Sequence, residues 1–207
     1  MVDNAVSKVY KVYIVSCGIF QPELQEVLTQ IIDEGILNCK VEVVYLAAGL
    51  HVNLDDLIKS VLKTVSSLKD SRVVLLYGSK CHPELDEVLK NCSAVRFAQA
   101  NCIELILGKK MEELDKETKK FYLSPGWLKN WKEIFKERLQ WDECDARQNF
   151  GSYDKIILLD TGVCEFKDEQ ILEFFEYTQV PIEVKNVDLK IFKETIIEAI
   201  QKALALG

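Results

Sequence analysis

Hydrophobic positions along the chain alternate between short continuous runs and runs with helical spacing. The continuous runs are rich in β-branched residues and predict strands at 9–16, 41–47, 72–77 and 155–160. Shorter apolar runs predict further strands at 94–97 and 182–184. Helical spacing follows the first run until Gly35, at Leu24, Val27, Leu28, Ile31 and Ile32. The pattern is a repeated strand–turn–helix unit.

Strands that alternate with helices, several of them continuously apolar, are typical of a parallel sheet with helices on both faces. We therefore predict an α/β fold with a Rossmann-like, open, mainly parallel sheet. The stretch 108–152 interrupts the alternation, because it is strongly charged up to residue 120 and then carries a helical pattern with Trp127 and Trp131 on one face. We expect a single α/β domain over 1–207, with a helical insertion or cap at 108–152.

Composition and charge exclude several classes of protein. The 207 residues are 48% hydrophobic and 29% charged, which argues against a disordered chain. The net charge of −7 argues against nucleic acid as the main partner. No signal peptide and no apolar run of membrane-spanning length is recognised, so we expect a cytoplasmic protein without a membrane partner. Homo-oligomerisation is left open.

The chain has seven cysteines. In a reducing compartment they are expected to be core thiols, metal ligands or nucleophiles. No pair has the C-x-x-C spacing, so any metal site has to combine distant segments. Cys39, Cys92 and Cys144 fall in or beside predicted helices, where a free cysteine usually only packs.

Chemistry is expected at the carboxyl ends of the strands, because the loops of an open parallel sheet converge there. Thiolate and imidazole, which zinc and iron–sulfur clusters prefer, are concentrated at this edge. The residues that follow strands are Cys17, Gly18, His51, Gly78, Cys81, His82, Cys102, Asp160 and Cys164.

Each of these residues also has a simpler explanation. His51 is equally explained as a loop imidazole, and His82 as a cap of the following helix. The glycines are explained by tight turns. Trp127 is either a core residue or a platform for a ligand, and Asp160 is either a general base or a hydrogen-bond acceptor near a ligand.

Five separated motifs resemble a known family. They are Leu50-His51-Val52-Asn53, Tyr77-Gly78-x-x-Cys81, the run from Asn101-Cys102 to Gly108, Tyr122-Leu123-Ser124-Pro125-Gly126-Trp127 and Asp160-Thr161-Gly162. Together they are similar to domain-of-unknown-function family sixteen thirty-eight, found in methanogens and anaerobic bacteria, often near corrinoid-dependent methyltransferases. Its members commonly carry His-Asp-Cys where this chain has Ala100-Asn101-Cys102, and Cys-Gly where it has Cys81-His82. Cys17, Cys81 and Cys102 are the positions that still match the family pattern.

The leading hypothesis is a metal-binding protein in which Cys17, Cys81 and Cys102 hold one centre, with His51 or His82 as a further ligand or as a hydrogen-bond donor to a ligand. The centre is either a [4Fe-4S] cluster with an open site or zinc, lined by Gly18, Gly78 and Trp127. His51 and Asp160 are the candidate catalytic groups for a small-molecule substrate. The resemblance implies a role in corrinoid-linked methyl-group metabolism.

Two alternatives remain open. The protein is either a non-catalytic carrier of a metal, cluster or corrinoid for a partner methyltransferase, or an enzyme that uses Cys81 as a nucleophile.

Overall fold

The computed structural model describes residues 10–68, 71–89, 94–108, 111 and 118–206. Within these ranges the strands form two separate sheets, and every pairing is parallel. The first sheet has the order β2-β1-β3-β4 and consists of β1 (Tyr10–Cys17), β2 (Cys39–Leu46), β3 (Arg72–Leu76) and β4 (Ala94–Arg96). The second has the order β5-β6-β7 and consists of β5 (Lys120–Leu123), β6 (Lys155–Asp160) and β7 (Ile182–Asn186).

Helices connect and cover both sheets. They are α1 (Gln21–Asp33), α2 (Leu54–Ser67), α3 (Leu85–Leu89), α4 (Cys102–Leu107), α5 (Pro125–Trp131), α6 (Glu143–Phe150), α7 (Asp168–Thr178) and α8 (Lys190–Ala205). Two 3₁₀ turns (Gly18–Phe20 and Leu50–Val52) and a π-helical segment (Lys132–Arg138) complete the described structure. No helix in this part of the chain is long and apolar enough to cross a membrane.

The predicted α/β fold with parallel strands and flanking helices is confirmed. The segment 118–152 contains two α-helices and the π-helical segment, and it also contributes β5. β5 has only four residues and directly follows the charged stretch, so the hydrophobic pattern does not reveal it. The single predicted sheet is therefore divided into two.

The strand order of the first sheet reverses at β1. The chain passes from β1 outward to β2 and then returns to β3 on the other side, so that Ser16 is paired with both Tyr45 and Leu76. Ligands of open parallel sheets bind in the crevice at such a reversal, beyond the carboxyl ends of the two central strands. Here those ends are Cys17, on β1, and Tyr77, directly after β3.

Helix α8 follows the second sheet but packs on the first. It contacts β1, β3, β4, α1 and α4. The buried ring of Phe192 stacks on Phe20 with 5.3 Å between centroids, and Lys193 Nζ lies 2.7 Å from both carboxylate oxygens of Glu34. The chain therefore crosses between the two sheets and back again, and the first sheet is completed by a distant part of the sequence.

Candidate metal centre

A cavity of about 390 Å³ lies at the carboxyl ends of β1 and β3. We call it the thiol cavity, because Cys17, Cys81 and Cys102 all line it. Its volume is near the lower end of the range of about 300–1,000 Å³ that is usual for small-molecule sites. The other described lining residues are Ile19, Phe20, His51, Leu76, Tyr77, Gly78, Lys80, Asn101, Ile103, Met111, Lys120, Phe121, Tyr122, Trp127 and Tyr153. Both sheets therefore contribute walls.

Three different elements bring the thiols to this cavity. Cys17 ends β1, and Cys81 closes the turn after β3, where its N–H donates to Gly78 O at 3.1 Å. Cys102 begins α4, behind the N-cap Asn101, whose side chain accepts from the Glu104 N–H at 2.9 Å.

The turns that carry Cys81 and Cys102 touch through Gly78. The Lys80 N–H donates to Ala100 O at 2.8 Å, and a Cβ on Gly78 would collide with that same carbonyl. Because Gly78 has no side chain, the turns that carry Cys81 and Cys102 can pack directly against each other.

The three thiols influence one another electrostatically. Burial raises the pKa of Cys17 and of Cys81, and it raises the pKa of Cys102 to about 12. Negative charge on Cys17 raises the pKa of Cys81 further, and charge on Cys81 and Cys17 raises that of Cys102. All three are therefore protonated at neutral pH unless a positive charge compensates them.

Two buried donors face these thiols. The Tyr77 hydroxyl and the Trp127 indole N–H have no conventional hydrogen-bond partner in the described part of the chain. Tyr77 acts on Cys17 and lowers its pKa, and the Trp127 N–H does the same for Cys102. A thiol is a weak acceptor, whereas an ionised sulfur accepts strongly, so both donors are placed to stabilise the thiolate form.

The structure separates the two histidines. His51 lines the thiol cavity, its ring packs edge-on against Trp127 with 5.4 Å between centroids, and burial lowers its pKa, which favours the neutral imidazole. His82 does not line the cavity, and its Nδ1 accepts from the Glu84 N–H at 3.0 Å. The capping explanation therefore describes His82, and His51 is the histidine beside the thiols.

Two predicted site residues lie elsewhere. Asp160 Oδ1 accepts from the Gly162 N–H at 2.9 Å and is not among the residues that line the thiol cavity. Gly18 lines a neighbouring cleft of about 580 Å³ between α1 and α5, where its missing side chain lets the chain pass Leu46 O. The cavity therefore unites Gly78, Trp127, His51 and the three thiols, but it includes neither Asp160 nor Gly18.

The remaining described cysteines lie outside the cavity. Cys39 begins β2, Cys144 is exposed on α6, and the Cys164 thiol lies 3.7 Å from Glu165 O. Cys92 falls outside the described residues. Over the ranges that the structure covers, no three His, Cys, Asp or Glu side chains form a group that could hold a metal ion.

Sequence reasoning missed the walls from the second sheet. Phe121 and Tyr122 belong to β5, which the pattern does not predict, and Tyr153 precedes β6. Tyr77 had a usable signal, because it stands at the carboxyl end of the third predicted strand, at the same edge as Cys17.

Comparisons with known proteins give one family. The model of a family described as "Protein of unknown function (DUF1638)" matches residues 45–196. No curated protein matches the chain. Among solved structures, the Lac repressor bound to ONPG in the repressed state is similar to this chain. The match covers 100% of this chain and 81% of the repressor chain, with 8% sequence identity and a TM-score of 0.45.

Proposed function

The chain belongs to the DUF1638 family, and we propose that it is a metal-binding protein whose centre is held by Cys17, Cys81 and Cys102 in the thiol cavity. The group proposed is a [4Fe-4S] cluster with one iron left open to a small molecule. One observation carries the proposal: three thiols from separate segments line one cavity, and two of them are faced by buried donors that have no other partner among the described residues.

The donor set fits such a cluster. Cysteine thiolates are its usual ligands, and hydrogen bonds to the sulfurs tune it. A cluster is larger than a single ion and takes each thiolate at a different iron, so thiols on different walls of one cavity can share it. When bound, it would supply a Lewis acid at the iron without a cysteine ligand. Tyr77 and Trp127 would then donate to Cys17 and Cys102, which keeps those sulfurs ionised.

The same surroundings disfavour a cysteine nucleophile. A reactive cysteine needs a lowered pKa, whereas burial and the neighbouring Cys17 both raise the pKa of Cys81. Metal binding removes the thiol protons and compensates the buried charge, so a raised pKa in the metal-free protein is compatible with a ligand.

Zinc is the second candidate, because a neutral His51 lines the cavity together with the thiols. No three of these side chains are grouped around one ion position in the described structure, so zinc would have to draw them together on binding. Neutral imidazole and thiolate are both good zinc ligands. The family resemblance further supports a role beside corrinoid-dependent methyltransferases, in which either this protein or its partner carries the corrinoid.

The test is metal and acid-labile sulfide analysis, with visible absorption spectra, on protein purified without oxygen. Wild type is compared with Cys17→Ala, Cys81→Ala and Cys102→Ala, and with Cys39→Ala and Cys164→Ala as matched cysteine controls outside the cavity. We expect iron and sulfide in the wild type and both controls, and their loss in each of the three cavity variants. Zinc with the same pattern identifies the second candidate. Absence of metal after anaerobic reconstitution, or its retention in all three variants, overturns the proposal.

A further inference from the structure

The charge of the thiol cavity is opposite to that of the whole molecule. Of its eighteen described lining residues, Lys80 and Lys120 carry charge, and none of the eighteen is Asp or Glu. The chain as a whole has 33 Asp and Glu against 26 Lys and Arg. The charge on the described part of the wall is therefore supplied by Lys80 and Lys120.

The positive charge lies at the rim. Lys80 is exposed and Lys120 is partly exposed, whereas Cys17, Tyr77 and Trp127 are buried. A third ammonium group is close by, because Lys119 Nζ lies 4.9 Å from the ring centroid of Tyr153, which lines the cavity.

Part of this charge is already shared. Lys155, Lys185 and Lys120 together lower the pKa of the exposed Glu183. Because part of the Lys120 charge already acts on Glu183, Lys80 and Lys120 are each replaced in the binding experiment.

The interior of the cavity is apolar and aromatic, through Ile19, Phe20, Leu76, Ile103 and Phe121. An apolar wall favours an apolar body, and a charged group is costly there unless it is paired. A cation at the rim can pair with a charged head that keeps contact with water.

We propose that the thiol cavity binds a small organic anion, a carboxylate with an apolar body, whose head lies at Lys80 and Lys120. The inference rests on the proposed function in one respect, which is that the ligand then shares the cavity with the metal centre. The charge of the wall and the apolar interior do not depend on the presence of a metal centre.

The experiment compares ligands of the same shape and different charge. Hexanoate and hexanamide, and benzoate and benzamide, are titrated calorimetrically into the full chain after anaerobic reconstitution. We expect each carboxylate to bind roughly fivefold to tenfold more tightly than its amide, because two partly exposed cations each contribute modestly. Higher salt is expected to reduce the difference.

Variants locate the charge. Lys80→Gln and Lys120→Gln are each expected to weaken carboxylate binding about twofold to fivefold and to leave amide binding unchanged. The matched control is Lys129→Gln, a lysine on the neighbouring cleft, which is expected to change neither. Melting temperatures of all variants establish that they are folded.

Equal binding of amides and carboxylates overturns this inference. A preference for carboxylates that survives when Lys80→Gln and Lys120→Gln are combined also overturns it. Iron and sulfide analysis of the same samples separates it from the proposed function. A loaded protein without a carboxylate preference refutes only the ligand class. A lysine-dependent preference in a protein that takes up no metal refutes only the metal centre.

Discussion

Among single residues, Trp127 offers the sharpest test of the proposed thiolate site, because one substitution can remove its N–H donor and keep an aromatic ring. Trp127→Phe retains an aromatic wall beside His51 but removes the donor that faces Cys102. We expect metal to be held about ten- to hundredfold less tightly, as is usual when a partner of a metal ligand is lost.

Competition with a chelator measures the effect of this change. Trp141→Phe is the control, since Trp141 stacks on Phe135 at 5.6 Å and does not line the cavity. Equal metal retention in Trp127→Phe and wild type would show that the indole N–H plays no part.

Glu23, on α1, is a buried carboxyl outside the thiol cavity. Its side chain is fully buried, Oε1 lies 3.4 Å from the Thr161 hydroxyl, which donates to it, and Oε2 has no partner in the described structure. Burial raises the pKa of Glu23 to about 7 from its ordinary 4.5. The folded protein therefore favours the protonated form of Glu23 more strongly than the unfolded chain does.

The pH dependence follows from that preference. Because the folded pKa is the higher one, the contribution of Glu23 to stability is fully present below pH 4.5 and is lost as the pH rises through about 7. The loss is on the order of 3 kcal/mol. Urea unfolding at pH 5 and pH 8 should show a smaller decrease for Glu23→Gln than for wild type. Glu26→Gln, an exposed neighbour on α1, should follow the wild type, and parallel pH profiles for all three proteins would contradict the argument.

At the residue scale, the sequence was sufficient where position along a strand decides the outcome. Cys17, Cys81, Cys102 and His51 follow strands of the first sheet, and they do line one cavity. Asp160 is also at the carboxyl end of a strand, but that strand, β6, belongs to the second sheet, so it ends at a different edge. The direction of the Trp127 N–H was not predictable, because it depends on how the two sheets pack.

At the scale of elements, the site depends on the close approach of two turns at Gly78. Gly78→Ala would place its Cβ against the Ala100 carbonyl, which is backbone and cannot rotate away. We expect the turns that carry Cys81 and Cys102 to separate, with a loss of about 1–3 kcal/mol in the free energy of unfolding and loss of the metal.

Gly162→Ala is the control for this element. Gly162 has φ of 70°, and no described residue lies within 4 Å of an added Cβ, so alanine there strains only the backbone, outside the cavity. Urea unfolding and metal analysis of both variants decide the matter. Retention of metal in Gly78→Ala would mean that the turns do not set the spacing of the thiols.

The hydrophobic pattern predicted most elements but not their partners. The hydrophobic runs gave β1 to β4, β6 and β7 to within a few residues. β3 and β6 are apolar over most of their length, as is typical of buried parallel strands, whereas β2 and β7 also carry exposed charged residues. β5 was missed because Lys120–Leu123 is short and begins with a charged residue. Which strands share a sheet is decided by tertiary packing, and no local pattern carries that information.

At the scale of the whole molecule, the thiol cavity joins the two sheets, since Cys17 and Cys81 belong to one side and Phe121 to the other. A group bound there binds only the folded protein. At a hundred times its dissociation constant it contributes about 2.7 kcal/mol to the stability of the fold. For a chain of this length, the melting temperature should rise by roughly 5–10 °C.

Thermal scans before and after anaerobic reconstitution measure this rise. Cys102→Ala treated in the same way should show none. A wild type that takes up iron and melts at an unchanged temperature would show that the bound group does not hold the two sheets together.

The packing of α8 on the first sheet has a consequence for biosynthesis. Phe20, in the wall of the cavity, stacks on Phe192, so this wall is complete only after the region around Phe192 has left the ribosome. At about 5–20 residues per second, the delay after Cys17 emerges is on the order of ten seconds. During that time the nascent chain presents unprotected thiols to any oxidant or stray metal ion. Under the proposed function, loading of the centre would therefore follow translation, and Cys17 would have to stay reduced until then.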